Sequence, residues 1–200
     1  MSQLRYDKIV SKTVDGEKIH YGILYGNEKI VFIKTGAGGT IRGYKGKNLQ
    51  MAHRVHERFG ATVICASNPY TDEHSQIAAD KAIIAKAAAA GNYADYEVYL
   101  SGTSDGGYYN LLLAQELPQT VKVLGINPSL KTVSDLTDKL RALPHVQKIM
   151  VYGTKDELYE ECVPVLTDLA CEKLKVITVD GADHEFRGML EEYIELIDLL

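Results

Sequence analysis

The 200-residue sequence has no tryptophan, three phenylalanines, five prolines and three cysteines. Cys65, Cys162 and Cys171 are odd in number and lack C-x-x-C spacing, which argues against a disulfide framework or a zinc site. All three are read as buried or half-buried thiols. No strong charge of either sign is present: 22 Lys and Arg against 27 Asp and Glu leave −5. The basic residues are scattered rather than striped, so there is no field for gripping nucleic acid. No apolar run reaches the ~18 residues that span a bilayer, and no membrane partner is expected. The segment MSQLRYDKIVSKTVDGEKIH lacks the basic-then-apolar profile of a signal peptide, so the expected location is the cytoplasm. No repeat, low-complexity tract or linker divides the chain, and residues 1–200 are expected to form a single domain with a core large enough to fold alone.

What is present is a rhythm. Residues 10–24 alternate polar and apolar, as one or two antiparallel strands joined by an Asp15-Gly16 hairpin would. After them come six short runs rich in Val and Ile: 29–34 (KIVFIK), 61–66 (ATVICA), 96–101 (YEVYLS), 121–126 (VKVLGI), 148–152 (KIMVY) and 174–179 (LKVITV). Such near-continuous apolar runs belong to strands covered on both faces. Helical patterns lie between and after them at 47–59, 75–90, 105–116, 130–143, 157–171 and 185–200. The alternation predicts an α/β fold, a mostly parallel sheet of about eight strands with helices on both faces. In such sheets, active groups sit in the loops that leave the carboxyl ends of the strands.

One loop stands out in "YLSGTSDGGYYNLLLAQ", residues 99–115. A strand runs into Gly102-Thr103-Ser104-Asp105-Gly106 and a helix follows. This is the G-x-S-x-G pattern of a nucleophile elbow, in which a serine on a sharp turn needs neighbours almost without side chains, because strand and helix backbones crowd them. The plainer alternative is a Gly-rich turn with a helix-capping serine. A serine nucleophile needs a base, itself oriented by a third group. Asp156 follows the 148–152 strand, and His184 follows the 174–179 strand.

On these residues, including the closing "GADHEF", the chain resembles the α/β-hydrolase superfamily from Lys29 to Leu200, in the order Ser, Asp, His. The resemblance implies that Ser104 is the nucleophile, His184 the general base and later acid, and Asp156 the group that fixes the imidazole tautomer. Glu157, Asp180 and Asp183 remain rivals for the acid. The oxyanion hole would use the Asp105 amide and, from the loop Thr35-Gly36-Ala37-Gly38-Gly39, the Ala37 amide. Gly36, Tyr70 and Tyr108 are candidate substrate-binding residues, and Arg42, Lys45 and Lys47 could greet an acidic substrate.

Two residues depart from the superfamily pattern. Thr35 stands where many members have His, and Asp105 puts a carboxylate directly after the nucleophile, where it would oppose an oxyanion if it faced the site. No cap is expected, because Ile126 passes through Asn127-Pro128-Ser129 into the next helix; a second copy of the chain could supply the missing wall. His53 and His56 lie beside Glu57, yet the H-E-x-x-H order is absent, and neither a metal nor an organic cofactor is expected. The resemblance implies a serine hydrolase acting on a carboxylic ester or thioester, small or displayed on a larger acyl-bearing molecule. A peptidase or amidase would use the same triad, and a non-catalytic binding protein could share the fold.

Overall fold

The computed structural model describes residues 4–129 and 131–200. Its frame is one eight-stranded sheet, in the order β1-β2-β4-β3-β5-β6-β7-β8. Strands β1 (Lys8–Val14) and β2 (Glu17–Leu24) form the expected hairpin, and β2 pairs antiparallel with β4 (Ala61–Ala66). Asp15 and Gly16 both take positive φ, 51° and 85°, the backbone of a tight two-residue hairpin turn. Strands β3 (Asn27–Lys34), β5 (Glu97–Thr103), β6 (Thr120–Ile126), β7 (Gln147–Gly153) and β8 (Leu174–Val179) complete the sheet, and every pair from β4 to β8 is parallel.

Side chains alternate across the strands, so the sheet has two cores. Ile30 and Phe32 of β3 face one, with Ile77 and Ile84 of α2 (Glu73–Ala90), Leu111 and Leu113 of α3 (Asp105–Gln115), Leu136 and Leu140 of α4 (Val133–Arg141), and Cys162 and Leu166 of α5 (Tyr159–Thr167). Val31 and Ile33 face the other, with Leu49, Ala52 and Val55 of α1 (Lys47–Phe59) and Tyr193 and Ile194 of α6 (Leu190–Glu195). The period-2 pattern of the strands and the spaced apolar positions of the helices thus meet on the same surfaces.

Three helices fall well short of their expected extents, and the one expected over 157–171 spans only Tyr159–Thr167. The helix expected over 130–143 begins at Val133, where the Thr132 side chain accepts from the Asp135 amide at 3.1 Å; Leu130 lies outside the described residues. The helix expected over 185–200 is shorter: α6 starts at Leu190 and passes into a 3-10 turn, Leu196–Leu199. The segment before it bends instead, with positive φ at Phe186 and Gly188.

A buried ion pair anchors the end of β3. Lys34 Nζ lies 2.8 Å from Asp80 Oδ2, with side-chain exposures of 0% and 4%, and Tyr21 donates to the other carboxylate oxygen at 2.8 Å. Burial pushes the Asp80 carboxyl up, while Lys34 and Tyr21 pull it down. Cys65 is buried in the opposite core, where desolvation pushes its thiol up to about 12.

The chain goes from β3 to β4 on one side and then crosses back to β5 on the other. That reversal opens a crevice at the carboxyl ends of β3 and β5, where ligands bind in open sheets of this kind.

Candidate functional site

Ser104 occupies the turn between β5 and α3 with φ 53° and ψ −127°. A non-glycine residue in this region is strained by about 1–3 kcal/mol and persists only where its surroundings enforce it. The flanking glycines show the enforcement: a Cβ on Gly102 would stand 2.2 Å from the Gly106 carbonyl oxygen, and one on Gly106 would stand 2.4 Å from the Lys34 carbonyl oxygen. The elbow is therefore wedged against the end of β3. The Ser104 amide donates to Ile126 O at 3.0 Å, which ties it to β6 as well.

The three residues singled out from their strand ends meet. His184 Nε2 lies 3.0 Å from Ser104 Oγ, and His184 Nδ1 lies 2.6 Å from Asp156 Oδ2. Asp156 has a fully buried side chain, and its second oxygen accepts the Leu158 amide at 2.7 Å. The rivals stand elsewhere: Glu157 is exposed, Asp180 accepts from Thr154 Oγ1 at 3.3 Å, and Asp183 accepts the amides of Glu185 and Arg187. Those amide bonds hold the Asp183 carboxyl below its usual range. A carboxylate on one imidazole nitrogen and a hydroxyl on the other can move a proton from oxygen to nitrogen without creating an unpaired buried charge.

Sequence reasoning passed over Asn127. It is fully buried with φ 42°, and its side chain links three loops. The amide nitrogen donates to the carbonyls of Asp183 at 3.2 Å and His184 at 3.0 Å, while the amide oxygen accepts from the Gly153 N–H at 2.8 Å. Asn127 thus clamps the histidine loop to the strand end that carries Asp156. The only signal in the sequence was an asparagine, a residue tolerant of positive φ, directly after a strand.

The loop from Thr35 to Gly39 runs beside the elbow, and a Cβ on Gly36 would stand 3.2 Å from Ser104 Cβ. Among the described residues, neither the Ala37 amide nor the Asp105 amide donates to a protein acceptor. Ala37 lines the same cleft as Ser104, and Asp105 follows Ser104 as the first residue of α3, where backbone N–H groups lack helical partners. The Asp105 carboxylate accepts a short hydrogen bond from Ser129 Oγ, which turns it toward the loop after β6. Thr35 is buried, its side chain against Gly39 and its carbonyl accepting from Asn68 Nδ2 at 3.1 Å.

These elements enclose a cleft of about 420 Å³ lined by Gly36, Ala37, Lys47, Ser104, His184 and Tyr193, among others. Tyr70 is 82% exposed with its hydroxyl beside Gly38, and it is not among the residues that line the cleft. Tyr108 is not brought to the cleft: it is 5% exposed, with its hydroxyl toward Asp135 and Lys131 Nζ 5.6 Å from its ring centroid. The helical register at the start of α3 turns Tyr108 toward α4 and away from Ser104. Among the described residues, no three His, Cys, Asp or Glu side chains are grouped to hold a metal, and no helix is long and apolar enough to cross a membrane.

No protein-family profile matches the sequence, and no curated protein matches it. Solved structures do. An α/β serine hydrolase homologue from Coxiella burnetii superposes with a TM-score of 0.76 at 15% identity, with 100% of each chain covered. The chain has the α/β-hydrolase fold. Est1E from Butyrivibrio proteoclasticus follows at 0.73 and 16% identity, with 96% of each chain covered. A serine hydrolase without a lid from Xanthomonas campestris gives 0.68 at 19% identity, over 99% of this chain and 95% of that one. The α/β-hydrolase fold here is likewise uncapped, since only residues 127–132 separate β6 from α4.

Proposed function

We propose that this α/β-hydrolase-fold protein is a serine hydrolase that cleaves a carboxylic ester or thioester through an acyl-enzyme on Ser104. The observation that carries this reading is the relay of 3.0 Å and 2.6 Å from Ser104 through His184 to Asp156, set on a strained turn at the mouth of a cleft. His184 Nε2 takes the hydroxyl proton as Ser104 Oγ attacks the carbonyl carbon. The Ala37 and Asp105 amides receive the developing oxyanion. The tetrahedral adduct collapses, His184 returns the proton to the departing alcohol or thiol, and a water repeats the sequence to release the acid. Asp156 keeps the imidazole in the tautomer whose Nδ1 carries the hydrogen and stabilises the imidazolium that forms.

The two departures from the superfamily pattern, Thr35 and Asp105, are compatible with these contacts. With its carboxylate engaged by Ser129, Asp105 contributes its amide without opposing an oxyanion. Thr35 is buried at the edge of the cleft with its side chain packed against Gly39, and brings no charge to the site. Est1E has been solved with ferulic acid, a carboxylic acid, bound, and the acyl product of ester cleavage is a carboxylic acid.

A panel of para-nitrophenyl esters, acyl thioesters and peptide anilides tests the assignment. Ester or thioester turnover that falls by at least about 10³-fold in Ser104→Ala is expected. Turnover confined to the anilides would overturn the ester reading in favour of a peptidase.

A further inference from the structure

We propose that Lys47 makes the cleft selective for substrates that carry an anionic group away from the scissile bond. The inference rests on the hydrolase reading of the same site and adds its substrate class.

Lys47 opens α1, directly after the turn that follows the glycine loop, and lines the cleft that holds Ser104 and His184. It also lines a second chamber of about 500 Å³ that shares Tyr44, Glu185 and Tyr193 with the first. Lys47 thus stands where the two chambers join. Its Nζ lies 4.3 Å from the Tyr193 ring centroid. Tyr193 is 2% exposed, and its hydroxyl is 2.6 Å from Thr103 Oγ1, next in sequence to Ser104. The ammonium therefore rests on a fixed aromatic platform bound to the elbow itself, a placement that holds a cation without neutralising it.

Neutralisation is what the surroundings withhold. Glu185 is the acid that acts most strongly on Lys47, followed by Asp183. Arg187 already engages Glu185, with Nη2 at 3.0 Å and Nε at 3.2 Å, and its Nη1 reaches Asp183 at 3.8 Å. Among the described residues, Lys47 forms no salt bridge. Partial burial lowers its affinity for the proton, and the two acids only partly offset that. A half-buried, unpaired ammonium gains a partner when an anion enters, and the fixed platform limits the side-chain entropy lost in binding one. Of the three cations read near the glycine loop, Arg42 lines neither chamber, and Lys45 lines only the second.

The test compares substrates that differ only in a remote charge. One arm uses para-nitrophenyl half-esters of glutaric, adipic and pimelic acids against neutral acyl esters of matched length. The other uses para-acetoxybenzoate against its methyl ester, which puts the charge on the leaving group. The wild-type protein should favour the anionic member of at least one pair by about tenfold to a hundredfold in kcat/KM, the range of a charged hydrogen bond. The gain should lie chiefly in KM and shrink with added salt. Lys47→Met should abolish the preference, and Lys47→Arg should retain most of it.

Fluorophosphonate labelling of Ser104 in each protein separates the outcomes. Labelling without any anionic preference, or a preference that survives Lys47→Met, overturns the role of Lys47 and leaves the hydrolase reading standing. No labelling and no turnover in the folded wild-type protein overturns both. If Lys47→Met does not fold, the wild-type preference and its retention in Lys47→Arg decide the matter.

Discussion

Replacing Asn127 with alanine removes a clamp whose value can be worked from its contacts. Three hydrogen bonds disappear, to the Asp183 and His184 carbonyls and from the Gly153 N–H. The site is fully buried, so no bulk water replaces the lost partner. At about 0.5–1.5 kcal/mol net for each bond, the loss is about 3 kcal/mol. The Cβ clash with the following carbonyl at φ 42° is carried by asparagine and alanine alike and adds nothing to that loss. Asn127→Gly loses the same three bonds without that steric term, so the difference between the two variants isolates the backbone strain. Asn127→Asp keeps the acceptor for Gly153 but faces two carbonyl oxygens with a carboxylate, and should be the least stable of the three. Urea unfolding measures these differences, and the rate of fluorophosphonate labelling measures the second consequence. A histidine loop released by about 1 Å should slow labelling on the order of a hundredfold, even under conditions where the variant is folded. Loss of less than about 1 kcal/mol in Asn127→Ala, with labelling at the wild-type rate, would refute the clamp.

Asp156→Asn should leave the fold intact and slow labelling by about 10³-fold or more, because an amide favours the wrong imidazole tautomer; a rate near wild type would point to another acid. Lys34→Met should lower stability by about 3–5 kcal/mol in urea unfolding, since it leaves the buried Asp80 without its cation, and adding Asp80→Leu should recover much of the loss. A double variant no more stable than the single one would contradict that. Asp198 tests the acid limb of stability. Arg54 Nε and Nη2 reach it at 2.9 and 2.7 Å, Arg58 bonds it as well, and Glu195 is the nearby acid that shares Arg54. These contacts hold the Asp198 carboxyl below its usual range. Its contribution is therefore present above the unfolded carboxyl value of about 3.9 and is lost as pH falls through the lower folded value. Asp198→Asn should cost about 1 kcal/mol or less near neutrality and nothing once both forms of the carboxyl are protonated; an equal cost at both extremes would contradict the sign.

The legible parts of this molecule were those that local chemistry dictates. The elbow showed in the glycine spacing around Ser104, because adjacent backbones forbid a Cβ at Gly102 and Gly106 wherever such a turn occurs. Asp156 and His184 were legible as residues just past apolar runs, and the hairpin as Asp15-Gly16. Three features depended on distant parts of the chain and left little local mark. The choice among Asp156, Glu157, Asp180 and Asp183 turned on which carboxylate the β7 and β8 loops aim at the imidazole. The Lys34–Asp80 pair read as an ordinary lysine and an ordinary helical aspartate, since burial of both becomes visible only when β3 and α2 pack. The helix pattern of 185–200 also misled, because presenting His184 bends the backbone at Phe186 and Gly188 before α6 can start. Tyr108 failed for a related reason: its place near Ser104 in the chain said nothing of which side of α3 it occupies.

The central claim is that Ser104 is an activated nucleophile. Intact-mass analysis after treatment with a fluorophosphonate probe, run beside Ser104→Ala and His184→Ala, tests it most directly. The account predicts a single adduct on the unaltered protein, absent in Ser104→Ala and formed far more slowly in His184→Ala. A folded protein that takes up no probe, or one that labels equally well without Ser104, would contradict it.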